Sequence, residues 1–282
     1  MNKNILVTGG LGYIGSHLCI KLLEKNYNVS IIDDLSNSKI NVLKKIIQIS
    51  KKKLFFFNFN INNIKKTTTI LKKKKIDLVF HLAALADIVP SIENPNAYFQ
   101  SNVVGTFNVL NACRSKNVKR VIYVASSSSY GIPNVYPTPE DVIIQPQYPY
   151  ALTKHMGEEL ALHWGQVYGL SVLSLRFFNV YGPRSRTSGT YGAVFGVFLA
   201  QKLAGLPFTV VGDGRQTRDF TYVTDVTNAL LTAAKSKATG KVYNVGSGAT
   251  ISINRIVELL AGETVHIPKR PGEPDCTFAD VS

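Results

Sequence analysis

The chain has 282 residues, 45% of them apolar, which is enough for one large domain with or without a smaller lobe. No stretch approaches the ~18 apolar residues of a membrane span, and a strand begins almost at once, so we expect no signal peptide, no membrane partner and a cytoplasmic protein. The net charge of +14 does not indicate a nucleic-acid partner, because the excess consists of lysines within residues 1–75, which suit a solvated surface. The three cysteines lack the spacing of a metal site.

The N-terminal residues have the pattern of a dinucleotide-binding unit. We predict a strand at residues 5–7, a helix at 13–25 and a second strand that ends at Asp33. Three glycines follow the first strand at GxxGxxG spacing, Gly9, Gly12 and Gly15, and the last of them lies in the first turn of the helix. Such a turn lets backbone N–H groups approach a pyrophosphate, and Asp33 is placed to bond the adenosine ribose. No arginine follows Asp33, and its carboxylate would repel a 2′-phosphate, so the pattern favours NAD over NADP.

A second motif lies near the middle of the chain. A helix that begins near Pro149 carries Tyr150 and Lys154 one turn apart, on the same face. A free tyrosine, with a pKa of about 10, is a poor base at neutral pH. A nearby ammonium, together with the positive nicotinamide ring, lowers this pKa, so we expect Tyr150 to act as a base and Lys154 to bond the nicotinamide ribose as well. The alternative is an interface tyrosine beside a surface lysine.

Together these motifs resemble the nucleotide-sugar epimerases and dehydratases of the extended short-chain dehydrogenase/reductase superfamily, most closely the UDP-hexose 4-epimerases. The resemblance covers nearly the whole chain and includes the blocks "TGGLGYIGSHL", "DDLSNSK", "FHLAA", "NPNAYFQSNVVGT", "LRFFNVYGP", "GDGRQTRDFTYVTDV" and "YNVGSG". It implies an α/β fold: a Rossmann-type doubly wound parallel sheet with a smaller C-terminal substrate-binding lobe. It also implies bound NAD, a nucleotide-diphosphate sugar substrate and a homodimer built on helices near 97–114 and 150–168.

Four consecutive serines follow the apolar run "RVIYVA", at residues 126–129. In the family, a Ser or Thr four residues before the tyrosine of a Tyr-Gly pair assists the catalytic tyrosine, and this position is Ser126. Sugar 4,6-dehydratases carry Asp-Glu at the next two positions, and decarboxylating relatives carry Glu at the second. Here these positions are Ser127 and Ser128, whose neutral hydroxyls cannot readily serve as acid and base. The resemblance therefore implies reversible oxidation at sugar C4, the chemistry of a 4-epimerase.

The resemblance also implies which residues surround the two ligands. Toward NAD these are Gly9, Gly12, Tyr13, Ile14, Gly15, Asp33, Asn60, Ile61, Leu82, Ala83, Ala84, Asn102, Tyr150, Lys154 and Phe178. Toward the sugar nucleotide they are Ser126, Ser128, Asn179, Arg218, Arg270, Glu273 and Thr277. Asn60 stands where the family often has Asp, which implies a weaker contact with adenine. For Arg270 and Glu273 an exposed loop is the alternative. The small Thr277 leaves room for an N-acetylhexosamine or a uronate.

The predicted domains interleave along the chain. The cofactor domain spans residues 1–175, with 219–248 returning to it, and the substrate lobe spans 176–218 and 249–282. We expect this lobe to be shortened at its C-terminus, because members of the family usually continue for some tens of residues. Two alternatives to a 4-epimerase are left open: dehydration or decarboxylation within the same family, and an inactive NAD-binding scaffold.

Overall fold

The computed structural model describes residues 3–185, 187, 194–269 and 272–282. The strands are β1 (Asn4–Thr8), β2 (Asn28–Asp33), β3 (Phe55–Asn58), β4 (Leu78–His81), β5 (Arg120–Ser126), β6 (Ser171–Phe177), β7 (Asn179–Tyr181), β8 (Phe208–Val211), β9 (Thr217–Arg218), β10 (Phe220–Tyr222), β11 (Lys241–Val245), β12 (Ile251–Ser252), β13 (Thr264–Ile267) and β14 (Cys276–Thr277). The α-helices are α1 (Tyr13–Glu24), α2 (Ile40–Ser50), α3 (Ile64–Lys73), α4 (Ile88–Glu93), α5 (Pro95–Tyr98), α6 (Gly105–Ser115), α7 (Pro149–Tyr168), α8 (Val194–Leu203), α9 (Val223–Lys235) and α10 (Ile253–Leu260). A π-helix spans Phe99–Val104 and a 3₁₀-helix spans Ser127–Tyr130.

A seven-stranded parallel sheet forms the centre of the molecule, in the order β11-β6-β5-β4-β1-β2-β3. From β1 the chain adds β2 and β3 on one side and then returns to add β4 on the other. The strand order therefore reverses between β1 and β4, and in such sheets ligands bind at the carboxyl ends of the strands beside this point. The arrangement confirms the predicted Rossmann-type α/β fold.

Both faces of the sheet are covered by helices, because its strands are apolar on both sides. Neighbouring residues of β1 show this directly: Ile5 and Val7 belong to one core cluster, whereas Leu6 belongs to another. Since side chains alternate along a strand, the two clusters lie on opposite faces of the sheet. Helices α1 and α9 pack on the first face, and α6 and α7 on the second. None of the helices in the described ranges combines the length and apolar composition that a bilayer crossing needs.

A smaller lobe lies beyond the carboxyl ends of the main sheet and has its own apolar core. Strands β8 and β13 pair in parallel, and Phe198, Phe208 and Ile256 pack beside them. A short sheet in the order β12-β9-β14 carries Arg218 and Thr277. The predicted loop, helix and strand of residues 181–215 include α8 and β8, but residues 186 and 188–193 lie outside the described part of the chain.

The helix predicted near 97–114 is divided into three parts: α5, the π-helix and α6. Asn94 starts α5, because its side chain accepts a hydrogen bond from the Ala97 N–H, and Pro95 is tolerated in this first turn. The wider π-turn then places Asn102 toward the interior, where it is 1% exposed. Such turns are frequent at functional sites, and a residue period of 3.6 in the sequence does not predict them.

A buried ion pair fixes α7 against β6. The Arg176 guanidinium contacts the Glu158 carboxylate at 2.6 Å, and the Ser174 hydroxyl donates to the same carboxylate at 2.7 Å. Burial alone would raise the pKa of Glu158, but the neighbouring His155 ring and the hydrogen bonds from Arg176 and Ser174 lower it to about 2. The pair therefore stays charged throughout the physiological pH range.

Replacing Glu158 by Gln should destabilise the fold by about 3 kcal/mol or more, because the Arg176 charge would stay buried without a counter-charge. Folding lowers the pKa of Glu158, so the stabilisation that the wild type draws from it is complete above the ordinary value of 4.5 and is lost as the pH falls toward 2. Urea denaturation at several pH values measures both effects. Asp77→Asn, which removes the exposed pair with Lys119, is the control and should cost less than about 1 kcal/mol. Equal losses in the two variants would contradict the argument.

Candidate active site

A cleft of about 1320 Å³ opens between the carboxyl ends of β1, β4, β5 and β6 and the smaller lobe. Most of the predicted site residues line it: Gly9, Gly12, Tyr13, Ile14, Gly15, Leu82, Ala84, Ser126, Ser128, Tyr150, Lys154, Phe178, Asn179, Arg218 and Glu273. The fold therefore brings together motifs that are up to 264 positions apart in the chain. The volume exceeds the ~300–1,000 Å³ of a pocket for one small molecule, which fits a site for two ligands.

The glycine turn forms a cradle that only glycine fits. Gly9 has a φ of +68°, and a Cβ there would lie 2.8 Å from the backbone nitrogen of Ala83. A Cβ on Gly15 would lie 2.3 Å from the carbonyl oxygen of Gly9. Helix α1 begins at Tyr13 without a side-chain cap and without an acidic residue in its first turn. Its positive end and backbone N–H groups thus face the cleft, and they fit the pyrophosphate of a dinucleotide.

Asp33, at the end of β2, holds the glycine turn in place. One carboxylate oxygen accepts from the Leu11 N–H at 2.9 Å, and the other accepts from the Leu35 N–H at 3.0 Å and the Ser38 hydroxyl at 2.7 Å. A carboxylate has about four acceptor positions, so it can still bond a ribose hydroxyl. The bond between Asp33 and the adenosine ribose stays a prediction.

Several of the predicted cofactor residues do not line the cleft. The Asn102 amide is bound to the backbone of Leu85 and to the Thr153 hydroxyl, so it joins the loop after β4 to α7. Ile61 is 6% exposed and belongs to a core cluster. The Asn60 side chain donates to Asp34 and accepts from the Asn62 N–H. Ala83 lies against the glycine turn. Direct contacts of these residues with NAD stay predictions.

Ser126, Tyr150 and Lys154 meet in the cleft. The Tyr150 hydroxyl donates to the Ser126 Oγ at 3.1 Å, and the Ser128 N–H donates to the same oxygen at 3.2 Å. Both bonds use the Ser126 Oγ as acceptor, so its own hydrogen can still be donated to a ligand. The Lys154 ammonium donates to the carbonyl oxygen of Val124, on the strand that ends at Ser126.

In the protein alone, the pKa of Tyr150 is not lowered by the neighbouring Lys154. Burial raises the pKa of Tyr150 to about 12, and the hydrogen bond with Ser126 only partly opposes this. Burial also lowers the pKa of Lys154 to about 7, so this amine is itself poorly stabilised as a cation. The protein alone therefore keeps Tyr150 as a neutral phenol at pH 7, and ionisation needs a further positive charge beside it.

The serines after β5 form one turn of 3₁₀-helix, which Ser126 caps through the Ser128 N–H. Ser127 and Ser128 line the cleft, and Ser129 is buried with no hydrogen-bond partner for its hydroxyl. Neutral hydroxyls thus occupy positions 127 and 128 of the cleft lining. The two described carboxylates that line the cleft are Asp87 and Glu273, and both come from other segments of the chain.

The predicted substrate side contains a second ion pair. The Arg218 guanidinium contacts one carboxylate oxygen of Glu273 at 2.8 Å, and no described residue hydrogen-bonds the other oxygen, which is buried. The Thr277 hydroxyl donates to the side-chain carbonyl of Asn179 at 2.9 Å and does not line the cleft. Arg270 lies outside the described residues.

Some cleft residues were not identified from the sequence. Asn37, Ser38 and Lys39 follow β2 inside the block "DDLSNSK", and the Ser38 hydroxyl donates to Asp33. Three aromatic residues pack together on the lobe side: Tyr181 stacks on Phe195 with ring centroids 4.7 Å apart, and Phe220 meets Phe195 edge-on at 4.9 Å. Asp87 follows the "FHLAA" block by three residues, and no spacing rule singles it out.

Among the described residues, one cluster has the composition of a metal site: His155, Glu158 and Glu159. Glu158 is already bound to Arg176, and the cluster lies on α7 outside the cleft lining. It has no part in the chemistry of this site.

Comparisons with known proteins agree with this geometry. Residues 5–246 match the model of the NAD dependent epimerase/dehydratase family, which confirms the predicted cofactor. A UDP-glucose 4-epimerase of Mycolicibacterium smegmatis is 35% identical over 269 residues, covering 94% of this chain and 84% of that protein. The structure of a UDP-N-acetylglucosamine 4-epimerase from Methanobrevibacter ruminantium M1, in complex with UDP-N-acetylmuramic acid, is 35% identical with a TM-score of 0.92, covering 100% of this chain and 90% of that one.

A UDP-glucuronic acid 4-epimerase from Bacillus cereus, solved with UDP-glucuronic acid and NAD, is 33% identical with a TM-score of 0.90, covering 99% of this chain and 90% of that one. Sequence, fold and cleft therefore lead to one assignment, and the chain belongs to the NAD dependent epimerase/dehydratase family.

Proposed function

We propose that this protein inverts C4 of a nucleotide-diphosphate sugar, a UDP-hexose or UDP-N-acetylhexosamine, through a transient 4-keto sugar. The observation that carries this proposal is the hydrogen-bonded pair of Tyr150 and Ser126, with neutral residues at positions 127 and 128. Each of the relatives described above is a 4-epimerase of a UDP-sugar, which supports the same chemistry.

Tyr150 removes the proton of the C4 hydroxyl and returns it to the C4 oxygen after the keto sugar has turned its opposite face toward the hydride. Ser126 donates its hydrogen to the C4 oxygen and keeps it within reach of the phenol. When bound, NAD supplies the hydride acceptor, the hydride donor and, in its oxidised form, a positive charge. Lys154 bonds the nicotinamide ribose, and the glycine turn with Asp33 holds the adenosine half. The keto sugar must turn within the cleft between the two transfers, and the cleft volume allows this.

On the substrate side, Arg218 and Glu273 bind the diphosphate and ribose, since an arginine fork matches phosphate geometry. The other oxygen of Glu273, which has no hydrogen-bond partner within the described ranges, is an acceptor suited to a ribose hydroxyl. Dehydration and decarboxylation are the alternatives, and they would give a 4-keto-6-deoxy sugar or a pentose. Proton NMR of the products from UDP-glucose, UDP-N-acetylglucosamine and UDP-glucuronate distinguishes these outcomes from an epimer. An inactive scaffold would give no product from any of them.

The same proposal includes a cytoplasmic homodimer formed by the helices around α6 and α7. Of their apolar side chains, Phe107 is 41% exposed and Leu152 is 48% exposed, and Val167 and Tyr168 are exposed as well. Trp164 belongs instead to the core of its own chain, although its indole nitrogen is buried without a partner. A second copy of the chain would cover this apolar face and remove it from water.

Tyr150→Phe should lower turnover by at least about a hundredfold, because it removes the group that transfers the proton. Bound NAD, measured by absorbance of the purified protein, should be unchanged. Tyr168→Phe, at the exposed end of the same helix, is the matched control and should leave both quantities unchanged. Full activity of the Tyr150 variant would refute the assigned base.

Lys154→Met should remove a pH dependence of stability. Folding lowers the pKa of Lys154 from 10.5 to about 7, so the wild type should gain stability as pH rises between these values, by roughly 1 kcal/mol per pH unit. Below pH 7 Lys154 is charged in the folded state, and burial of this charge lowers the stability of the wild type by the full effect of the pKa shift. The Met variant should therefore be at least as stable as the wild type there. Urea denaturation of nucleotide-free protein at pH 6 to 9 checks this, with the exposed Lys116→Met as control. Parallel pH curves for wild type and Lys154→Met would contradict it.

Phe107→Glu combined with Leu152→Glu should convert a dimer into a folded monomer, because the charges would have to be desolvated at the contact. Sedimentation velocity measures the change, and circular dichroism confirms the fold. The exposed Leu203→Glu, in the smaller lobe, should leave the dimer intact. A wild type that is monomeric at tens of micromolar would end this part of the proposal.

A further inference from the structure

Tyr148 lies beside the reactive tyrosine, and the mechanism above gives it no role. It directly precedes Pro149, the first residue of α7, and its carbonyl oxygen accepts from the Leu152 N–H at 3.1 Å. Its side chain is 8% exposed and does not line the cleft. A large buried side chain in this place packs behind the cleft and not within it.

The Tyr148 ring stacks on the ring of Tyr150. The two ring centroids lie 6.3 Å apart and the ring planes differ by 10°. Within a regular helix, residues two positions apart do not face each other, so this contact would not form. It forms here because the residue before a proline favours an extended backbone, and Tyr148 has φ −155° and ψ 162°. Pro149 thus directs the Tyr148 ring alongside the reactive phenol.

Other neighbours of Tyr148 belong to the substrate side of the site. A Cβ on Gly272 would lie 3.6 Å from the Tyr148 Cδ1, so the backbone of the loop before Glu273 lies against the ring. Burial raises the pKa of the Tyr148 phenol, and the Ser128 side chain opposes this. The charges of Glu273 and Arg218 act on the same phenol in opposite directions, so its hydroxyl lies near this ion pair. The ring therefore lies between the reactive phenol and the segment that binds the nucleotide.

We propose that Tyr148 is a positioning residue: its ring holds the Tyr150 phenol in the orientation that reaches Ser126, and it links that phenol to the loop that carries Glu273. This inference rests on the proposed function, because it concerns how the base of that reaction is held. The contact between two aromatic rings is worth a factor of roughly two to ten in an equilibrium. A small displacement of a reacting group can cost about a hundredfold in rate, so a modest contact can have a large effect on turnover.

The first test measures the Tyr150 phenol without turnover. Carbon NMR of NAD-loaded protein labelled at the tyrosine Cζ reports ionisation, and the Tyr150 signal is the one that Tyr150→Phe lacks. Burial is the largest cause of the raised pKa of Tyr150, so removing the stacked ring in Tyr148→Leu should shift its titration to lower pH. Tyr148→Phe keeps the ring and should titrate close to the wild type. A titration of Tyr150 that Tyr148→Leu leaves unchanged would overturn the proposal.

The second test separates positioning from binding, with the UDP-sugar that NMR of the products identifies. Tyr148→Leu should lower kcat by roughly tenfold on the plateau above the Tyr150 pKa, because the base is no longer held in place. The dissociation constant of UDP from the NAD-loaded protein should change by less than about threefold. Tyr148→Met, a second variant without a ring, should behave in the same way, and Tyr148→Phe should keep kcat within about threefold of the wild type.

Tyr243→Leu, which removes an exposed tyrosine on β11 outside the cleft lining, is the control and should change neither quantity. Equal losses of kcat in Tyr148→Leu and Tyr148→Phe would mean that the ring does not position the base, and the proposal would be wrong.

The third test concerns the link between the ring and the loop. Gly272 has a φ of +71°, so Gly272→Val strains the loop in any background, but its side chain presses on the Tyr148 ring only where that ring is present. The fall in kcat/KM that Gly272→Val causes should therefore be smaller in Tyr148→Leu than in the wild type, by at least about twofold. Additive losses would overturn the link to the loop. Absence of all turnover would refute the proposed function, while the NMR titration would still decide whether the Tyr148 ring holds Tyr150.

Discussion

Helix α7 carries both Tyr150 and Lys154, so the reactive geometry depends on how this helix is held against β5 and β6. The buried pair of Glu158 and Arg176 fixes its middle, and the Tyr123 hydroxyl donates to the Lys154 carbonyl oxygen at 3.1 Å. The helix can lie this close only because residue 157 is glycine, since a Cβ there would be 2.3 Å from the Tyr123 hydroxyl. The contact between the Tyr150 hydroxyl and Ser126 Oγ is thus a consequence of packing well outside the cleft.

This packing disfavours the charged forms of Tyr150 and Lys154. Burial opposes charge on both groups that α7 delivers, raising the pKa of the phenol and lowering that of the amine. By itself the protein favours the neutral phenol of Tyr150 at neutral pH. A positively charged ring beside Tyr150 would reverse that preference, and a dry cleft strengthens the effect. The same burial that destabilises the isolated charges therefore makes the site responsive to its cofactor.

In the proposed function, the type of reaction and the choice of substrate depend on different segments. The serines that follow β5 place neutral hydroxyls at positions 127 and 128, and this argues for simple C4 oxidation and reduction. The loop after β4 also lines the cleft, and Arg218 and Glu273 come from the smaller lobe. The sequences of such loops and of the smaller lobe can vary without disturbing the main sheet or α7. This separation is consistent with a family whose members act on sugars of different charge and size.

The Rossmann-type fold and the NAD cofactor could be predicted from the sequence, because the glycine turn rests on short-range spacing and the family resemblance covers nearly the whole chain. Tyr150 and Lys154 were indicated by their spacing and Ser126 by the resemblance, and the catalytic roles of all three stay predictions. Glycines at fixed intervals form a turn, and residues four apart share a helix face, whatever the rest of the chain does. Other features could not be predicted in this way. The π-turn that directs Asn102 inward, the bond between Thr277 and Asn179 and the place of Asp87 in the cleft all depend on contacts between distant segments.

The direction of the Tyr150 pKa shift is the clearest example of a property that depends on the tertiary structure. The sequence by itself determined that a lysine lies one turn from the tyrosine, and with it the groups available for chemistry. Only the tertiary structure decided where that lysine points and how deeply both groups are buried. Spacing along a helix fixes the direction of a side chain relative to the helix axis. The burial and charge state of that side chain depend on all the residues that pack around the helix.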